Sequence, residues 1–143
     1  SAPSSNRTAT YGGIGALALP WDARFHRAHL NVPSFGHHPV RLTLPCVGSG
    51  EAVRRYQQQT GQAIETLRYF DAAVAANHLK IPVHIAAARF DPAVPPPGQF
   101  AIYNALAGHR ELFVLQAGHF DHGDLAVENA RLKDALTYFF KHE

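Results

Sequence analysis

The sequence is short of cysteine, of net charge and of long apolar runs, and each shortage removes a class of function. Its one cysteine, Cys46, excludes an internal disulfide and cannot by itself build a thiolate zinc site. The formal charge is only +2, with basic residues scattered among acids, so the electrostatic footprint of a nucleic-acid binder is missing and no polyanion partner is expected. No apolar stretch approaches the roughly 20 residues of a membrane helix. The start, SAPSSNRTATYGG, does not have the charged-then-apolar layout of a signal peptide. The chain therefore reads as soluble, with cytoplasm and, after removal of a leader, secretion both open. What is present, 46% hydrophobic and 17% charged residues over 143 positions, is the composition of one globular domain with one core.

Histidine is the exception to this scarcity, with ten copies, which puts metal binding on trial. His37 and His38 are adjacent and point apart in extended chain. The group His119, Asp121, His122 and Asp124 has no helical i, i+4 pair. Tight binding needs two or three converging ligands, so no metal site is expected.

Along the chain, residues 1–9 read as a flexible lead-in. GGIGALAL, from Gly12 to Leu19, has the glycine and alanine that let a helix approach a strand closely, and Pro20 ends it. The run 28–32 is a short buried strand stopped by Pro33. Residues 34–49 hold two prolines and two glycines with no sustained period, and predict a loop of the kind that lines sites. Helices are expected over 50–60 and 62–79, the second burying Ile64, Leu67, Tyr69, Phe70, Val74 and Leu79. PVHIAAA and ELFVLQA are continuous apolar runs typical of strands covered on both faces. Helices follow them, over 100–107 through PPPG and over 125–140 with Leu125, Ala126, Leu132, Leu136, Phe139 and Phe140 turned inward. Alternating strands and helices at this spacing predict parallel pairing, and three parallel strands leave an open edge that something else should cover. Trp21 and Phe25 either pack together or line a pocket.

In open α/β sheets, reactive groups gather just beyond the C-terminal ends of strands. Two loops are loaded in this way: Arg89-Phe90-Asp91 followed by PAVPPP, and Gly118-His119-Phe120-Asp121-His122. A carboxylate and an imidazole on adjacent strand ends can share a hydrogen bond, the acid fixing the tautomer while the ring takes a proton from a nucleophile. Taken singly, an aspartate before proline is an ordinary turn residue and Gly-His an ordinary loop. In this order on successive strands, they form an acid–base pair. The accompanying nucleophile belongs on a sharp strand-to-helix turn, G-x-S-x-G. Only Thr8-Ala9-Thr10-Tyr11-Gly12-Gly13 offers such a turn, with threonine where glycine and serine belong. The methyl of Thr10 crowds a strained elbow. Ser5, Ser34 and Ser49 read as ordinary loop serines.

The segments ETLRYFDAAVAANHLKIPV, FDPAVPPPGQFAIYNALAG and ELFVLQAGH, with GGIGALAL and NVPSF before them, resemble the acetyl xylan esterases and cephalosporin C deacetylases of carbohydrate esterase family seven. The resemblance runs over about residues 10–140. It implies an α/β class chain with a partial α/β-hydrolase fold, three-layered, its short parallel sheet flanked by helices, residues 10–143 forming the C-terminal half of the domain. It further implies a carboxylester hydrolase that deacetylates xylo-oligosaccharides or small acetyl esters by a nucleophile-His-Asp mechanism, with no cofactor and with homo-oligomers usual. Residue by residue, Asp91 falls on the acid, His119 on the base, Thr10 on the nucleophile and Tyr11 on the oxyanion-hole amide. The sequence departs from the family at the elbow, which has neither serine nor leading glycine, and it holds no counterpart of the early strands or of the second oxyanion donor. The alternative is therefore a catalytically inactive piece of the same fold, acting in self-association or partner binding.

Overall fold

The computed structural model describes residues 9–142, with side chains from Gly12 onward, as three short strands in one parallel sheet between helices. Strands β1 (Ala28–Asn31), β2 (Val83–Phe90) and β3 (Arg110–Ala117) lie in that order, β2 in the centre. The helices are α1 (Ala9–Ala18), α2 (His38–Arg41), α3 (Ser49–Thr60), α4 (Ala63–Leu67), α5 (Ala72–Ala76), α6 (Pro96–Ala105) and α7 (Leu125–Lys141).

Alternation along β2 divides the interior into two cores, because successive side chains of a strand face opposite ways. Val83, Ile85 and Ala87 pack on one face with Ala16 of α1, Ala72 and Ala76 of α5, and Ile102 of α6. Ala86 and Ala88 face the other way, against Val32, Leu115 and Leu132 of α7. Both faces of β2 are thus covered, giving three layers, but β3 is not covered on both faces as its apolar run predicts, because Leu112 and Val114 on one side stay exposed. The glycines of α1 act as the sequence suggests. A Cβ on Gly12 would sit 2.9 Å from the Asn31 carbonyl oxygen, and one on Gly13 only 2.4 Å from that of Ser34. The start of α1 is consequently pressed against the C-terminal end of β1.

Three expectations need correction. Residues 62–79 are not one helix but α4, a 3-10 turn (Arg68–Phe70) and α5. The break falls at Asp71, whose extended backbone lets its carboxylate accept from the amides of His37 and His38 at 2.9 and 2.8 Å while capping α5 through the Ala73 amide. A buried carboxylate collecting three amide donors outweighs the helical propensity of its neighbours. The apolar side read for that segment is accordingly dismantled: Leu79 is buried, but Tyr69, Phe70 and Val74 are exposed. In α7 the inward residues are Glu128, Leu132 and Phe139, whereas Phe140 and Ala126 face out. Trp21 is 82% and Phe25 48% exposed, so the two do not bury one another.

Candidate active site

The register of β2 and β3 brings the two loaded loops together. Phe90 pairs with Ala117, and the Gly118 amide donates to the Phe90 carbonyl at 2.7 Å, so Asp91 and His119 leave the sheet side by side. His119 Nδ1 then lies 2.9 Å from Asp91 Oδ2 and 3.1 Å from Oδ1. A carboxylate only accepts, so Nδ1 carries the proton, which leaves Nε2 as the basic nitrogen on the far side of the ring. The Asp91 side chain is fully buried and that of His119 three-quarters covered.

Three further donors hold Asp91. The amides of Ala93 and Val94 each reach Oδ1 at 2.9 Å, the turn that the proline-rich chain fixes, and Gln99 Nε2 reaches Oδ2 at 3.3 Å. Gln99 is wholly buried, and its remaining groups are also engaged: Oε1 accepts from the Ala88 amide of β2 and Nε2 donates to the Val94 carbonyl, both at 2.8 Å. One side chain of α6 therefore ties helix, central strand and acid loop together. Gln99 was not singled out from the sequence, although a signal existed. It is the polar member of an otherwise apolar stripe with Ile102 and Leu106 at helical spacing.

Gly118 is required by the same geometry, since a Cβ there would fall 2.3 Å from Asp91 Oδ2. Backbone strain concentrates at this rim. Val32, Phe35, His37 and His119 all hold positive φ, of 39°, 64°, 54° and 51°. Each such residue costs on the order of 1–3 kcal/mol and persists only where its surroundings impose it. For His37 the imposing group is Asp71. For His119, the left-handed turn swings the ring back onto Asp91. Behind it, Glu128 of α7 accepts from the Gln116 amide at 2.7 Å and lies 3.2 Å from His122 Nε2, fastening the loop that carries His119.

A cavity of about 260 Å³ adjoins the pair. His119 lines it together with Pro33, Phe35, His38, Arg41 and the first turn of α3. Burial pushes His38 below the usual imidazole range. Ser34 and Ser49, read as ordinary loop serines, also border this cavity. Thr10 and Tyr11 occupy the first turn of α1, and their side chains lie outside the described residues, as does all of Ser5. Among the described residues, no three metal-ligating side chains converge, and no helix is long and apolar enough to cross a membrane.

Comparison with known proteins bears on the family and the fold. Residues 52–141 match the family model of acetyl xylan esterase. The chain is similar in structure to the acetyl xylan esterase from Paenibacillus sp. R4, with 25% identity and a TM-score of 0.72, over 87% of this chain and 42% of that one. It is also similar to acetyl xylan esterase 1 from Thermoanaerobacterium sp. JW/SL YS485, at 17% identity and a TM-score of 0.65, over 84% and 41%. The enol-lactonase from Burkholderia xenovorans LB400 shares the fold at 16% identity and a TM-score of 0.54, over 91% and 62%. The chain thus spans about two-fifths of the length of the two esterases it matches. The common architecture is the α/β-hydrolase fold, and these residues form part of it.

Proposed function

The chain belongs to the acetyl xylan esterase family, and from that membership we propose that it supplies the acid and base of a carboxylester hydrolase acting on acetylated sugars or small acetyl esters. In this reading residues 10–143 are the C-terminal half of the hydrolase domain. The observation that carries it is the contact of His119 Nδ1 with both oxygens of a buried, four-fold anchored Asp91 at the ends of neighbouring parallel strands.

The chemistry follows from that contact. Asp91 holds the proton on Nδ1, Nε2 withdraws the proton of the attacking hydroxyl, and the imidazolium so formed is stabilised by the carboxylate behind it. The same nitrogen returns the proton to the departing alcohol, leaving an acetyl-enzyme, and then activates the water that releases acetate. Thr10 holds the nucleophile position and the Tyr11 amide that of an oxyanion donor. The close approach of Gly12 and Gly13 to Asn31 and Ser34 supports this assignment, because it brings the first turn of α1 to the rim where His119 stands. The extra methyl of threonine makes it a slower nucleophile than serine.

A chromogenic acetate ester tests the reading. Turnover above buffer, lost in His119→Ala and in Thr10→Ala and raised in Thr10→Ser, is expected. Turnover that survives His119→Ala ends it. A second reading, a non-catalytic scaffold that associates through its sheet, is favoured by one feature: among the described residues the outer edges of β1 and β3 pair with no strand, and Leu112 and Val114 of β3 are over a third exposed. It predicts no turnover together with a concentration-dependent mass in light scattering, and a monomer at micromolar concentration removes it.

A further inference from the structure

Helix α2 is a single turn, and its two ends, His38 and Arg41, stand three residues apart on one face, where side chains are neighbours. Both line the cavity that His119 borders. Among the described residues, Arg41 enters it without a counter-charge. Its Nη2 has the Cys46 sulfur at 3.8 Å and packs against Gly50, and its Nη1 is buried with no hydrogen-bond partner among the described residues. The acids of the surrounding elements are all engaged elsewhere. Glu51 takes Arg54, Arg55 and the Cys46 amide; Asp71 takes the amides of His37, His38 and Ala73; Asp91 takes His119. Among the described residues no carboxylate lines the cavity, whereas the first turn of α3, which has no side-chain cap, does. A guanidinium withdrawn from water with an empty donor is costly unless an anion meets it.

His38 complements it in the opposite sense. Its Nε2 faces the Phe70 carbonyl at 3.1 Å and must donate there, so Nδ1 presents a lone pair. That Nδ1 is buried and has no partner among the described residues either. Two residues of the cavity wall thus hold, among the described residues, an unpaired cationic donor and, one turn away, an unpaired neutral acceptor.

We propose that Arg41 and His38 form a specificity subsite in which Arg41 binds a carboxylate and His38 accepts from a neighbouring hydroxyl, so that the preferred ester is one of a hydroxycarboxylic acid. That the bound molecule is a substrate rests on the esterase reading; the binding itself does not. The volume of about 260 Å³ suits a small ester of this kind. A guanidinium–carboxylate contact is worth about tenfold or more in affinity over a neutral group of the same shape.

Titration calorimetry of the full chain with O-acetylglycerate, and with glycerol monoacetate as its neutral counterpart, tests the subsite. Saturable binding of O-acetylglycerate, about tenfold or more tighter than the monoacetate, is expected. The preference should collapse in Arg41→Gln and survive in part in Arg41→Lys. In His38→Phe the advantage of O-acetylglycerate over 3-acetoxypropionate, which has no hydroxyl, should vanish. Equal affinities in the native chain, no binding of either ester, or an undiminished preference in a folded Arg41→Gln overturns the proposal, and the native comparison decides alone if that variant does not fold. Tight binding without hydrolysis would sink the esterase reading and leave the subsite standing. Hydrolysis of both esters at equal kcat/KM would do the reverse.

Discussion

Replacing Gln99 by leucine is the sharpest test of how the site is built into the fold. Leucine fills much of the same space, so the loss is confined to hydrogen bonds. The Ala88 amide and the Val94 carbonyl lose partners at 2.8 Å, and Asp91 Oδ2 loses its contact at 3.3 Å, in a place with no solvent exposure. An orphaned buried polar group costs about 1–3 kcal/mol, so two of them predict a loss of about 3 kcal/mol. For a chain of this size that is a fall in Tm on the order of 10 °C. The single tryptophan, Trp21, is already exposed in the native state, so unfolding is better followed by far-ultraviolet circular dichroism than by fluorescence. Gln99→Glu is the companion: it keeps an acceptor for Ala88 but sets a second carboxylate against Asp91, and should be worse at pH 7 than at pH 5. A Gln99→Leu chain within about 0.5 kcal/mol of the native one would refute the reasoning, because effects of that size belong to surface positions.

Two other outcomes are expected. Gly118→Ala puts a methyl 2.3 Å from Asp91 Oδ2 and 3.0 Å from Val32 Cγ1, so the acid must move. The variant should lose about 1–3 kcal/mol in urea unfolding and with it any acetate ester hydrolysis, and unchanged turnover would count against the role of Asp91. The second concerns acid. His29 and His84 meet across β1 and β2 with Nδ1 atoms 3.1 Å apart, and His84 packs on Phe139. Burial, then the neighbouring imidazole, pushes His29 from 6.5 down to about 4, and burial lowers His84 as well. A lowered imidazole pKa means that the unfolded chain takes the proton first. Stability from His29 is therefore complete above pH 6.5 and drains away as pH falls towards 4, by about 2 kcal/mol between pH 7 and 5. Urea midpoints at the two pH values check this, and His29→Leu should flatten the dependence; equal midpoints in the native chain would contradict it.

The parts of the fold that were legible are those where one local pattern decides the outcome. PVHIAAA and ELFVLQA announce strands because both their faces are apolar, and the observed β2 and β3 overlap them closely, although only β2 is covered on both sides and β3 leaves Leu112 and Val114 exposed. Asp91 and His119 could be paired from the sequence because successive parallel strands deliver their ends to one rim. What stayed hidden depends on groups distant in sequence. The helix over 62–79 breaks because Asp71 serves amides more than thirty residues earlier. The positive φ of Val32 and His119 has no glycine or asparagine to announce it. Arg41 sat in a stretch read only as a site-lining loop and His38 was weighed there only as a metal ligand, and their meeting in the cavity is set by the loop path rather than by spacing.

The most direct measurement is the tautomer of His119 by nitrogen-15 NMR at neutral pH. The account predicts a proton on Nδ1, shifted far downfield by the Asp91 carboxylate, with Nε2 bare, and loss of that signal in Asp91→Ala. A proton on Nε2, or an Nδ1 resonance indifferent to Asp91, would contradict it.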